Sequence, residues 1–307
     1  MKPTIAVVLA AFILLSSCKK TVPPADGIYR FSGTLTVDGL QRTYMLNLPP
    51  NYYDSSNFAL VIAMHGGGGS ATQFEATNKL TDKANTAHFA VVYPNGVEGD
   101  GLLKARTWNA GSCCDYAVRQ NINDVKFISV LIDTLLSKYK INSKKVFATG
   151  HSNGGMMSYR LACELSDKIA GIAPNACTMV VSSCNPSKPV PVLHMHSVND
   201  QNVPYKGGYG NGTGTTGLWL APVDSVLNVW ASKNTCAIGP IVITNDSKFK
   251  FTKWSNCNKN NTIDYYLTTD GGHAWPGGLK GSAIGDDPST FINANDLLWE
   301  FFSKIVN

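Results

Sequence analysis

The sequence predicts an α/β fold, a mostly parallel sheet covered by helices on both faces, and three observations carry that prediction. Apolar runs of strand length alternate with helix-like segments along most of the chain. One such run, residues 146–148, enters the turn Gly150-His151-Ser152-Asn153-Gly154, and residues 156–165 beyond it have the composition of a helix. Two further apolar runs end in polar loops carrying Asp200 and His273.

Taken in order, residues 1–17 hold an early lysine and then an apolar run over 5–15, too short to span a membrane, which reads as a signal peptide. The ending Leu15-Ser16-Ser17-Cys18 resembles a bacterial lipoprotein box, in which Cys18 is lipidated; the alternative is ordinary cleavage nearby with Cys18 discarded. Residues 18–27 then form a polar, proline-containing tether, and membrane contact is expected only through the lipid on Cys18. Lys19 after the cysteine, by resemblance to lipoprotein sorting, points to the outer membrane, facing either way. Residues 28–307 fit a single domain, expected to be monomeric. The formal charge of +5 is spread without a basic block, so nucleic acid is not indicated.

Residues 28–37 and 41–48 read as a lead-in hairpin closed by Asp38-Gly39. A strand over 59–64 ends at His65, a helix follows near 73–86, and a strand over 89–93 ends at Pro94. Residues 95–120 show no periodicity and contain Trp108, Cys113 and Cys114, which suggests a long loop stapled by cysteine. Val125, Ile128, Ile132, Leu135 and Tyr139 recur at helical spacing as a structural stripe. Strands are expected over 169–174, 191–196 and 263–267, and a helix over 222–233. A closing helix takes Ser289 as N-cap and places Phe291, Leu298, Phe301 and Ile305 on one face. Residues 207–217 are too rich in glycine for a regular element. They form either a flap over the site or a surface insertion, with Trp219 as lid anchor or helix cap.

Seven cysteines beyond Cys18 suit an exported protein. The expected disulfides are Cys177–Cys184 and Cys236–Cys257, with Cys163 joined to Cys113 or Cys114 and at least one thiol unpaired. No metal site is expected, because no Cys-x-x-Cys has a matching second pair and adjacent Cys113-Cys114 is poor spacing for chelation.

A Gly-x-Ser-x-Gly turn between strand and helix is a nucleophile elbow, where Gly150 and Gly154 let the two elements approach. A serine needs a base to take its proton, and the chain order Ser152, Asp200, His273 is that of the α/β-hydrolases. Oxyanion donors are expected from the Asn153 N–H and from Gly67 or Gly68 in the loop after the strand ending at Met64. Asp270 shares the His273 loop and Asp264 lies inside a strand, so Asp200 is the preferred acid. His65 and His151 are read as structural, His194 and His196 as buried and hydrogen-bonded, and His88 as a surface residue.

The set His65-Gly66-Gly67-Gly68, Trp108-Asn109, Cys113-Cys114, Gly150 to Met156, Asp200 with Val203-Pro204-Tyr205, and Gly272 to Gly277 resembles the polyhydroxybutyrate depolymerase and feruloyl esterase-like group of secreted α/β-hydrolases. The resemblance covers nearly the whole mature chain, with Ser197 where many relatives have glycine. It implies a cofactor-free carboxylic ester hydrolase with Ser152, Asp200 and His273 as its triad. Trp108 is then either a wall of the acyl pocket or an anchor on the core, and Trp275 either an aromatic platform or a core residue. With no separate binding domain visible, the expected substrate is a carbohydrate-linked ester, feruloyl or acetyl, on plant polysaccharide. The alternatives are a polyhydroxyalkanoate, a peptide, or a non-catalytic carbohydrate-binding lipoprotein.

Overall fold

Asp38 and Gly39, at φ 50° and 79°, turn the chain from β1 (Arg30–Val37) into β2 (Leu40–Asn47), as an Asp-Gly pair between apolar runs predicts. The computed structural model describes residues 29–211 and 215–305; the expected signal peptide, tether and Cys18 lie outside them. β3 (Phe58–Met64) is buried at every position, the mark of a strand covered on both faces. The helix expected over 73–86 is two helices, α1 (Ala71–Asn78) and α2 (Leu80–Ala87). Lys79 between them is left-handed at φ 56°, and the Asn78 side chain accepts from the Leu80 N–H, a local bond that competes with the helix ladder.

After β4 (Ala90–Pro94), the long loop holds a ribbon, β5 (Val97–Glu98) with β6 (Arg106–Thr107), and the short α3 (Asp115–Arg119). α4 (Asp124–Lys138) is capped by Asn123 and buries Val125, Ile128, Ile132 and Leu135 of the predicted stripe, while Tyr139 falls just past its end in extended backbone. β7 (Ile141–His151) leads through Ser152 into α5 (Asn153–Glu164), followed by β8 (Gly171–Asn175) and β9 (Val192–Ser197). A second ribbon, β10 (Gly208–Tyr209) with β11 (Trp219–Leu220), occupies part of the glycine-rich segment. The chain closes with α6 (Val223–Lys233), β12 (Ile238–Asn245), β13 (Phe249–Ser255), β14 (Ile263–Thr268) and α7 (Ala294–Lys304). Asn293, not Ser289, caps α7: the Asn293 side chain accepts the Asn295 and Asp296 N–H groups, while Ser289 lies in the segment before the helix.

Ten strands form one sheet in the order β1-β2-β4-β3-β7-β8-β9-β14-β13-β12. The run from β4 to β14 is parallel, and antiparallel pairs flank it on both sides. Two apolar layers result. One packs α4, α5 and α6 against the sheet; the other packs α1, α2 and α7. In the second layer Phe302 of α7 stacks on Phe147 of β7 with centroids 4.3 Å apart, pinning the closing helix beneath the elbow strand. Parallel strands share one direction, so the loops after β7, β8, β9 and β14 leave the sheet at the same edge.

Two of the expected cysteine pairings are not formed: Cys177 does not join Cys184, and Cys163 joins neither Cys113 nor Cys114. Cys236 and Cys257 are bonded as expected, across the ends of the β12–β13 hairpin. Cys184, however, pairs with Cys163 of α5 at a Cα separation of 4.8 Å, and Cys113 is bonded to Cys114. Cys177 is buried and unpaired. It sits just past β8 under the start of α5, where a Cβ on Gly155 would lie 2.7 Å from its sulfur, so its thiol faces the helix and not Cys184. Burial pushes that thiol well above its ordinary pKa, which makes it inert.

Candidate active site

Ser152 is built in a conformation that few side chains adopt, with φ 53° and ψ −120° between β7 and α5. Such angles cost on the order of 1–3 kcal/mol and persist only where the surroundings enforce them. Here the neighbours do: a Cβ on Gly150 would strike the Gly154 backbone, and one on Gly154 would strike the Met64 carbonyl of β3. The Ser152 N–H is held by the Asn175 carbonyl at 3.0 Å.

Asp200 and His273 meet from the ends of adjacent strands. β9 and β14 are parallel and paired through Ser197 and Thr268, so their loops leave side by side. His273 Nδ1 lies 2.8 Å from Asp200 Oδ2, while Asp200 Oδ1 accepts the Asn202 and Val203 N–H groups, each at 2.9 Å. Burial alone would raise the Asp200 pKa, but the imidazoles of His273 and His196 outweigh it and hold the carboxyl far below the usual range. The group is a carboxylate at any working pH. The His273 ring in turn packs 4.6 Å from that of His151, the residue immediately before Ser152. Elbow, acid and histidine therefore converge at one edge of the sheet.

Several residues that the motifs did not point to hold this arrangement. The Asn175 side-chain amide donates to His151 Nδ1 at 3.0 Å and to the Ala274 carbonyl at 2.9 Å, tying the elbow to the histidine loop. Asp286 accepts the His273 N–H at 2.6 Å. The Ser197 hydroxyl donates to the Asp270 carbonyl at 3.0 Å. A buried chain runs behind Asp200: the Tyr159 hydroxyl sits 2.8 Å from His194 Nδ1, and His194 Nε2 lies 3.1 Å from His196 Nδ1. His196 Nε2 is 2.8 Å from the Val203 carbonyl and 3.2 Å from Asp200 Oδ2. A carbonyl only accepts, so His196 Nε2 carries a hydrogen; with neutral rings the donors then point one way, from Tyr159 toward the acid. Burial, with His196 beside it, holds His194 well below the ordinary histidine pKa and keeps it neutral. The alternation of His194 and His196 along β9 signalled a shared face, but not the tyrosine from α5 that meets it.

The competing groups are committed elsewhere. Asp270 accepts from the Ser289 hydroxyl and from the Thr290 N–H and hydroxyl. Asp264 faces Lys253 at 3.5 Å. His65 is fully buried and accepts the Gly96 N–H at 3.0 Å while its Nδ1 donates to the Gly66 carbonyl at 2.7 Å. It thereby shapes the glycine loop.

That loop corrects one expected oxyanion donor. The Gly68 N–H is donated to the Arg106 carbonyl at 2.8 Å and is not available to a ligand. The Gly67 N–H has no partner among the described residues, and Gly66 approaches the Ser152 side chain closely. Asn153 opens α5, where a helix leaves its first N–H groups without intrahelical partners. Its side chain is not part of that opening, since it exchanges hydrogen bonds with the Trp108 backbone at 2.7 and 3.0 Å.

The two tryptophans considered as substrate contacts are also corrected. Trp108 is completely buried and donates its indole N–H to the His65 carbonyl. Trp275 is 3% exposed, packs on Phe74 and donates to Asn295. Both anchor the loops that bear the site, and neither offers a face to a ligand. Tryptophan beside a catalytic motif carries no mark that separates the two roles.

Residues 53–213 match the family described as Phospholipase/Carboxylesterase. The chain belongs to this family. Among relatives of this Phospholipase/Carboxylesterase chain, feruloyl esterase B of Piromyces equi is 27% identical over 245 residues, 78% of this chain and 44% of that protein. The chain thus spans less than half the length of that relative. Probable feruloyl esterase C of Aspergillus terreus is 24% identical over 296 residues, covering 94% and 90% of the two chains. The solved acetyl xylan esterase from Aspergillus awamori superposes with a TM-score of 0.59 at 15% identity, over 89% of this chain and 99% of that one, a likeness of fold.

Proposed function

We propose that the protein is an exported serine esterase that hydrolyses feruloyl or acetyl esters carried on plant polysaccharide. The observation that carries the reading is the Asp200–His273 pair at 2.8 Å, set at the sheet edge where Ser152 is held in its elbow. In the proposed reaction His273 takes the Ser152 proton as the hydroxyl attacks the ester carbonyl. Asp200 fixes the imidazole with Nδ1 protonated, so that Nε2 is the base. The N–H groups of Asn153 and Gly67 receive the charge that develops on the carbonyl oxygen. His273 returns the proton to the leaving alcohol, and a water activated by the same nitrogen releases the acyl group.

The printed names of the relatives, feruloyl esterases in both cases, support the ester class. Three disulfides support export, and anchoring through a lipid on Cys18 is part of the proposal. The test is hydrolysis of methyl ferulate, acetylated xylan, short p-nitrophenyl esters and hydroxybutyrate oligomers by wild type and Ser152→Ala. The expected result is turnover of the first two by wild type and its loss in the variant. A folded wild type that turns over none of the panel contradicts the proposal.

A further inference from the structure

Tyr209 of β10 and Trp219 of β11 are directly paired across their ribbon, and their rings meet edge to face with centroids 5.4 Å apart. They remain 69% and 63% exposed. Side chains left more open than these, Leu102, Leu103 and Ile284, are aliphatic and lie in turns. Large aromatic rings normally bury most of their surface, and two held side by side in water mark a contact surface.

The ribbon is rooted on the loop of the catalytic acid. The Asn202 carbonyl accepts from the Asn211 N–H at 3.4 Å and from the Thr215 hydroxyl at 3.2 Å, and the Asn202 N–H is itself donated to Asp200 at 2.9 Å. The Gly207 N–H bonds the Pro204 carbonyl at 2.9 Å, and the Val223 N–H bonds the Tyr205 carbonyl at 2.9 Å, closing the ribbon at its base. The exposed rings are therefore fixed relative to the triad. Residues 207–211 and 215–222 contain no charged side chain. A charged polymer finds no counter-charge on the ribbon itself; Lys206 lies at its base, over the Tyr205 ring. A polyester has no flat ring face to lay on these side chains. A pyranose fits the rings: its C–H face is apolar and flat, and its hydroxyls project outward into water.

We propose that Tyr209 and Trp219 form a sugar-stacking subsite that holds the backbone of an ester-bearing glycan beside the triad. This rests on the esterase reading above and adds to it a site for the part of the substrate that does not react. The test compares wild type with Tyr209→Ala, Trp219→Ala and the double variant on acetylated xylan, methyl ferulate and hydroxybutyrate oligomers. Both side chains are exposed, so the variants keep the core. KM for acetylated xylan should rise about tenfold in the double variant, with methyl ferulate kinetics unchanged. Affinity electrophoresis in gels containing deacetylated xylan gives a second reading: wild type should be retarded and the double variant not. Equal xylan kinetics and equal retardation overturn the subsite. So does a parallel loss on methyl ferulate, which would make the ribbon a support for Asp200, or a loss confined to hydroxybutyrate oligomers, which would make it a polyester surface. If wild type hydrolyses no ester the esterase reading falls, and the gel still decides the subsite.

Discussion

Asp200 and Asp270 flank the same histidine loop and are both well supplied with donors, yet they do different work. Asp200 shows one oxygen to two backbone N–H groups and the other to the His273 ring. Asp270, three residues before His273, spends both oxygens on Ser289 and Thr290 and fastens the loop to the segment leading into α7. Closeness in sequence places a carboxylate on the same loop as the histidine. Closeness across parallel strands aims one at its ring. The difference is one of direction, and it is set by the pairing of β9 with β14.

The largest effect should come from breaking the acid itself. Asp200→Asn keeps the shape but favours the wrong imidazole tautomer, so kcat should fall by about 10⁴-fold. Its stability should fall as well, because this buried carboxylate is also a charged acceptor of several donors. Asp270→Asn should share only the stability loss, because a charged acceptor with three donors is weakened: a drop of about 1.5–3 kcal/mol in urea titration, with kcat largely retained. A large kcat loss in Asp270→Asn at unchanged stability would erase the contrast.

A smaller effect sharpens the account of Asp200. His196→Phe removes a donor from behind the carboxylate, so more of its charge falls on His273. The acidic limb of the kcat/KM profile should move to higher pH by up to about one unit, equivalent to 1.36 kcal/mol. Tyr159→Phe, two rings farther back, should move it less. A limb that stays in place while only stability falls would reduce the chain to packing.

A separate effect, on stability alone, concerns His65, whose pKa burial lowers from 6.5 to about 4. The unfolded chain binds this proton first as pH falls, so the contribution is complete above pH 6.5 and lost between there and about 4. Its size is roughly 3 kcal/mol at most. In His65→Gln the fall of urea stability across that window should be shallower than in wild type. An equal slope would show that the loss arises at other groups.

Much of this was legible in the sequence. The elbow could be read because strand, turn and helix are contiguous, and Asp200 with His273 because each ends an apolar run. The Asp38-Gly39 turn and the α4 stripe were legible for the same local reason. The Asn78–Lys79 break was not, since a left-handed lysine has no composition mark. Asn175, Asp286 and Tyr159 were missed because their partners lie on other elements. The Cys163–Cys184 bond was missed because it depends on how α5 packs against a loop. Trp108 and Trp275 show the converse error. Motif proximity suggested substrate contact, whereas the exposed aromatics lie in a glycine-rich segment that looked structureless.

The most direct test of the account is labelling with a fluorophosphonate ester, followed by peptide mass mapping, on wild type, Asp200→Asn and Asp270→Asn. The account predicts a single label on Ser152, formed rapidly in wild type and Asp270→Asn and far more slowly in Asp200→Asn. A label on another residue, or equal rates in all three proteins, would contradict it.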